Sequence, residues 1–257
     1  MTALSAAPAA AHRSLLRLHR PALLVWTAFA LSALGGLLWL HLSRVPTERS
    51  CLGFHFSTRG DLPVCDYSAF TDANNVFNFL GEALSYSGVA VAAWAAAALI
   101  GRELESGTAK LAWTQSVSPA RWLARKLTTA AVPLLAGGGL LALVFVWAWT
   151  ADKDALVTDW TWDRVFIPRG PLLPALLLLG LAVGALAGIA LRRTLPALAV
   201  ATAATLVTRL YLRAAWKPLH GPLRGFWAVH LTATAMVLAI TAAATAGAFS
   251  LLRHRTR

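Results

Sequence analysis

Long charge-free windows, most of them bracketed by basic or acidic residues, dominate the pattern of this chain. They cover about residues 21–42, 83–100, 127–150, 170–191, 194–212 and 226–252, and only the fifth is interrupted, by Arg209 in its last turn. A hydrocarbon core about 30 Å thick is crossed by about 20 apolar helical residues, so each window is a candidate span. The windows are runs of Leu and Ala without period-two alternation, which predicts helices and argues against a membrane β-barrel. The expected fold is all-α: a polytopic membrane protein of about six transmembrane helices. Residues 1–20 form a lead-in and residues 253–257 a short tail. The first window is too long for the apolar region of a signal peptide and lacks a small-residue cleavage site, so it reads as a permanent span.

Composition agrees. Of 257 residues 58% are hydrophobic and 13% charged, with a mean hydropathy of +0.61, whereas soluble domains carry about a quarter charged residues. With six spans both termini share one side, which carries thirteen Lys and Arg but only two acids, Glu103 and Glu105. The other side has ten basic residues and nine acids. The thirteen crowd the span ends in short loops, so that side is expected to be the cytoplasm. The formal charge of +12 therefore fits attraction to an anionic inner leaflet. It does not call for nucleic acid, because no basic patch with stacking aromatics stands apart from the spans. Trp39, Trp147, Trp149 and Trp227 fall near span ends, where indole rings anchor at the headgroup level.

The connections differ in character. Residues 43–81 read as the longest polar loop and hold the only two cysteines, Cys51 and Cys65. A bond between them would close a loop of about 15 residues, worth roughly 3 kcal/mol in the chain-entropy model; two free thiols are the alternative. Residues 151–169 interleave Asp152, Asp154, Asp159 and Asp163 with Trp160 and Trp162, but lack the glycine turn and terminal Glu of a calcium loop, so they read as a solvated rim. No metal site is expected. Arg192 and Arg193 alone separate the fourth and fifth windows, which must form a tight antiparallel hairpin. In the fourth, Gly180, Gly184 and Gly188 stack on one face and would let another helix approach closely. Pro133 with Gly137, Gly138 and Gly139 loosens the third span, either as ordinary membrane-helix composition or as a hinge. Arg209 reads as snorkelling to the outer surface rather than contacting a substrate, and His230 as a packed polar residue.

Catalytic motifs are missing. The chain has no G-x-x-x-x-G-K-[ST] loop, no H-E-x-x-H, no G-x-S-x-G and no pair of intramembrane carboxylates. ATP hydrolysis by this chain is therefore not expected. An intramembrane enzyme would need a buried nucleophile with a base placed beside it, and no such spacing occurs.

The most specific stretch is residues 101–126, GRELESGTAKLAWTQSVSPARWLARK. Gly107 should end the helix leaving the membrane, and Thr108 should cap a short surface helix over 108–115. Ser118 followed by Pro119 is an N-cap and first-turn signal for a helix running through Arg121, Arg125 and Lys126 into the third span. Glu103 and Glu105 are expected to pair with Arg121 or Arg125, worth roughly 0 to 1 kcal/mol if exposed. Here the sequence resembles the permeases of ATP-binding-cassette transporters, of the type-2 export class as found in actinobacteria. The resemblance rests on E-x-E-x-G-T at Glu103, Glu105, Gly107 and Thr108, on W-T-Q-S-V-S from Trp113 through Gln115 to Ser118, and on R-W-L-x-x-K from Arg121 to Lys126. Arg17, His19 and Arg20 before the first span look similar too, as does Phe226-Trp227 opening a last span that ends in Arg253, Arg255 and Arg257. Pro119 stands where that class has an Arg.

What the resemblance implies is a half-transporter that forms the translocation path for an amphipathic molecule, such as a lipid or an antibiotic, moved outward. Its loop over 101–126 would dock on a separate ATPase subunit, which binds ATP and Mg, and two permease copies, identical or not, would share two ATPases. This chain itself would bind no cofactor. A non-transporting membrane anchor or sensor is the alternative, with an intramembrane enzyme behind it. The topology is directly testable: in a Cys-less background, single cysteines at Asp159 and Leu219 should react with an impermeant thiol reagent from outside, while those at Ala112 and Thr256 should not. Labelling of Ala112 from outside would invert the assignment.

Overall fold

The computed structural model describes residues 7–44, 67–114, 117–153, 156, 159–220 and 225–256. Cys51, Cys65, Asp154 and Gln115 lie outside the described residues, and so does the proposed disulfide. Among the described residues all regular structure is helical. Helix α1 (Ala7–Trp39) ends in a π-helical turn, Leu40–Arg44. Helix α2 (Tyr67–Trp94) continues through a π-helical stretch, Ala95–Gly101, into a last α-helical turn, Arg102–Glu105. Helix α3 (Thr108–Thr114) is short, and α4 (Pro119–Asp152) follows it. A short α5 (Asp163–Phe166) precedes α6 (Leu172–Leu191), α7 (Thr194–Trp216) and α8 (Phe226–Thr256). Among the described residues six helices are long and apolar enough to cross a membrane, and the protein is a multi-pass membrane protein.

Helix α6 is the axis of the bundle and packs against α2, α4, α7 and α8. Fourteen of its residues are buried, as expected of a helix that is apolar all round. Its glycine stripe faces α2. A Cβ on Gly180 would come within 2.1 Å of the Gly88 carbonyl oxygen, and one on Gly184 within 2.5 Å of the Ala92 carbonyl oxygen. Gly188 meets the Ile100 side chain and the Ala96 carbonyl. Gly88 returns the contact, its own notional Cβ lying 2.7 Å from the Leu176 carbonyl oxygen. Backbone thus meets backbone over three turns, where dispersion rather than water release supplies the attraction.

Several loop readings change. Helix α2 starts at Tyr67, well before residue 83, so residues 67–81 of the expected polar loop are helix. Ala73, Phe77, Leu80 and Leu84 recur at three- and four-residue steps and are buried, while Thr71, Asp72, Asn75 and Phe79 stay exposed. An amphipathic stripe therefore carries the helix past the apolar window. Its buried side joins Leu37, Leu40, Leu141 and Phe145 in a cluster on the face opposite the termini. Residues 151–169 are likewise not a simple solvated rim. Asp152 is fully buried against His41 Nδ1 at 3.0 Å, Asp163 meets Arg213 at 2.6 Å, and Asp159 accepts from the Thr161 amide at 2.7 Å. The carboxylates thus point at separate partners.

Arg209 does not snorkel. It is 6% exposed and lays its guanidinium 3.5 Å from the centre of the Tyr86 ring, a cation–π contact that offsets part of the cost of removing the charge from water. His230 is buried among Phe166, Phe226 and Trp227, with Nε2 accepting from the Leu172 amide at 3.3 Å. In α4 the glycines provide seats: Gly137 faces the Trp26 indole, whose Nε1 donates to the Pro133 carbonyl at 3.1 Å, and Gly138 faces Leu177.

The α2–α6 contact makes a graded prediction. Gly184→Ala should destabilise the detergent-solubilised protein by about 1–3 kcal/mol, as overpacking typically does. Gly139→Ala, where a Cβ meets nothing within 4 Å, should leave its stability unchanged or raise it by up to about 1 kcal/mol, the ordinary helix preference of Ala over Gly. Thermal unfolding followed by size-exclusion recovery measures both, and equal melting points would refute the reading of the stripe.

Candidate functional site

The loop between the second and third spans is built on the last turn of α2. Successive residues in an α-helix advance by about 100°, so Glu103 and Glu105 project to nearly opposite sides. Glu103 turns to α4. One of its carboxylate oxygens accepts from Lys126 Nζ at 2.6 Å and the other from Trp122 Nε1 at 3.3 Å. Lys126 is only 2% exposed and its partner 20%, so the ion pair is largely desolvated and hydrogen-bonded on both carboxylate oxygens. Glu105 turns to α7. Its Oε2 accepts from the Thr194 amide at 2.9 Å and from the Thr194 hydroxyl. A carboxylate there satisfies an orphan amide and faces the positive end of the helix dipole.

The expected pairing with Arg121 or Arg125 is therefore replaced. Both arginines are exposed, because they lie on the outer face of the first turns of α4 while Trp122 and Lys126, four residues apart, share its inner face. The exposed-pair estimate does not apply to Glu103.

After Glu105 the chain reverses. The Ser106 amide donates to the Arg102 carbonyl at 3.0 Å, and Gly107 takes a φ of +75°, a left-handed conformation that a Cβ penalises. Thr108 differs from its expected role: its hydroxyl donates backward to the Glu103 carbonyl at 3.3 Å and meets Ser106 Oγ at 3.0 Å, while the Lys110 amide bonds to the Gly107 carbonyl. It ties the new helix to the old rather than capping forward. Helix α3 then lies on the protein surface. Ala109 is buried and Trp113 packs edge-on against Trp122 with ring centres 5.7 Å apart. Lys110, Leu111 and Thr114 are exposed, Leu111 at 62%. Ser118 caps α4 with its side chain accepting from the Arg121 amide at 3.4 Å, and Pro119 fills the first turn.

Two partners of this assembly come from far along the chain. Thr194 opens α7, and Arg255 near the end of α8 donates from Nη1 to the Ile189 and Ala190 carbonyls, each at 2.8 Å. Arg192 between them has a φ of 54°, the left-handed residue that closes α6. The α6–α7 hairpin is thus held by a cation at the negative end of one helix and an anion at the positive end of the next. Gly180, Gly184 and Gly188 lie outside this loop and pack α6 on α2.

Among the described residues of the loop, the side chains serve to cap helices, pair charges and pack rings. Residues 21–217 match the family model described as ABC-2 membrane transporter related. No curated protein and no solved structure matches the chain.

Removing one member of the Glu103–Lys126 pair should be costly. Glu103→Gln is expected to lower stability by about 2 kcal/mol, between the values for exposed and fully buried pairs. Adding Lys126→Met should recover much of the loss, because the stranded ammonium is then gone. Denaturation of the four proteins of the double-mutant cycle measures the coupling, and additive effects would show the pair to be energetically idle.

Proposed function

The chain belongs to the ABC-2 membrane transporter related family, a membrane transport component rather than a catalyst, and from that premise we propose that it is the permease subunit of an ATP-driven exporter whose ATPase is a separate polypeptide. In this reading both termini and α3 face the cytoplasm, ATP and Mg are held by the partner, and two permease copies share the pump. The observation that carries it is α3 itself. It is a short surface helix exposing Lys110 and Leu111, set off by a left-handed glycine, and rooted through Glu103 and Glu105 in two different spans. A ligand shifts a two-state equilibrium only by its differential affinity for the states. An ATPase that grips α3 differently with and without ATP has, through those two carboxylates, a mechanical path to α4 and α7.

Purification from membranes in mild detergent should bring down an ATPase of cassette size. Gly107→Val should insert and fold, since nothing lies within 4 Å of its Cβ position, while the left-handed backbone strains by about 1–2 kcal/mol. The reconstituted complex should then lose most of its substrate-stimulated ATPase activity. Deleting residues 109–115 should abolish partner binding. If both variants kept binding and stimulation, α3 would not be the coupling element.

A further inference from the structure

A groove of about 1180 Å³ runs between α1, α2 and α4, larger than a typical small-molecule pocket of about 300–1,000 Å³. Its shape follows from where the helices touch. Helices α1 and α2 meet on the face opposite the termini, where Gly36 lies against Leu80, and α1 is pinned to α4 by the Trp26–Pro133 hydrogen bond. Towards the terminal face α1 and α2 splay, leaving a wedge floored by α4. On α2 the wall is one stripe at three- and four-residue spacing, Ala83, Ser87, Ala90, Trp94, Ala98 and Arg102. Trp26 and Phe29 line the α1 side and Tyr86 the deep end.

The wall is mostly aromatic and aliphatic along its length, and its charged residues lie at the mouth. There Arg102, Glu103, Ser106 and Thr108 converge. Glu103 is already neutralised by Lys126 and Trp122, whereas Arg102 is exposed and makes no ion pair among the described residues. Arg20, also exposed, precedes Pro21 on the opposite rim. The uncompensated charge at the mouth is therefore positive, while the body of the groove carries no charged side chain and is lined by hydrocarbon and rings apart from Ser87, whose hydroxyl bonds to the Leu84 carbonyl, and Thr129. An occupant must match both parts.

We propose that this groove takes up an anionic membrane amphiphile with a phosphate headgroup, drawn sideways from the leaflet that adjoins α3, its head held at Arg102 and its hydrocarbon body along Trp94, Trp26 and Phe29. The site names a substrate class for the pump and rests on the reading of the chain as an exporter permease with α3 in the cytoplasm. Guanidinium and phosphate pair through charge-assisted hydrogen bonds, and apolar chains enter a wall of comparable polarity. Head and body are thus recognised by different chemistry at different levels of the groove.

The test uses the full chain in phosphatidylcholine nanodiscs carrying a trace of phosphatidic acid with a diazirine in its acyl chain, and in parallel the same acyl chain on phosphatidylcholine. After photolysis, the phosphatidic acid probe should mark the peptides containing Trp26–Phe29 and Trp94 well above the phosphatidylcholine probe. Arg102→Gln should reduce that labelling about ten-fold, as expected for loss of a hydrogen bond to a charged group. Ala90→Trp, at an exposed position on the wall, should block it by filling the groove; Ala98→Trp is the second filler should the first misfold. Equal labelling by the two probes, or labelling untouched by Arg102→Gln and by a folded filling variant, overturns the proposal. So does an absence of labelling, with or without a disulfide between copies carrying Val25→Cys, which would mark the groove as an interface between permeases. Failure here leaves co-purification of the ATPase untouched, so the two readings fall separately.

Discussion

Everything in this bundle depends on the close approach of α6 to α2. Gly180 and Gly184 on α6 and Gly88 on α2 bring carbonyl oxygens to positions where any Cβ would collide, and Gly188 seats the Ile100 side chain. In lipid no release of water drives helices together, so the attraction grows only as backbones come near enough for many dispersion contacts. With α6 fixed on α2, the remaining faces of α6 accept α4, α7 and α8. Helix α1 is left at the periphery, fastened by Trp26 and by the cluster around Leu37 and Phe77. That peripheral position opens the groove.

The sequence made the local features legible because they depend on near neighbours in the chain. Six apolar windows became six long helices, Ser118 with Pro119 starts α4, and Gly107 has the left-handed backbone that a reversal between two helices needs. The extension of α2 to Tyr67 was hidden because its signal is a buried stripe, Ala73, Phe77, Leu80 and Leu84, inside a stretch whose average is polar. Asp152, Asp163 and Arg209 were misplaced for the opposite reason. Charge predicted exposure, while partners elsewhere in the fold, His41, Arg213 and Tyr86, made burial tolerable.

The candidate site was legible as a segment but not as a network. Its residues were picked out by spacing, yet what they touch is set by tertiary contacts across 19 to 89 residues of chain. Thr194 carried a weak signal, a hydroxyl residue opening a helix just after the Arg192–Arg193 turn. Arg255 carried none beyond its charge, which the orientation rule had already accounted for. The positive charges of the terminal face thus fall into two groups. Lys126 and Arg255 are fixed in the structure as an ion-pair partner and a helix cap, while Arg121 and Arg125 stay exposed and free to meet anionic headgroups.

Helix α2 links these parts. One side holds the glycine contact, another lines the groove, and its end carries Glu103 and Glu105. Between the glycine contact and those carboxylates lies the π-helical stretch Ala95–Gly101, where the backbone is wound more widely than in an α-helix and the pitch of successive side chains is altered. Gly101 closes it, and a Cβ there would lie 2.4 Å from the Ala96 carbonyl oxygen and 3.4 Å from Thr194 Cα. The stretch and its glycine bring the end of α2 against the start of α7, so that Glu105 reaches the Thr194 amide on one side while Glu103 reaches Lys126 on the other. Because a π-helical turn can be exchanged for an α-helical one only by rotating all that follows, the orientation of both carboxylates, of Arg102 at the groove mouth and of α3 beyond them is set by a single segment. In the proposed reading of α3 as the docking helix, its displacement would therefore bear on the groove mouth and on α7 together.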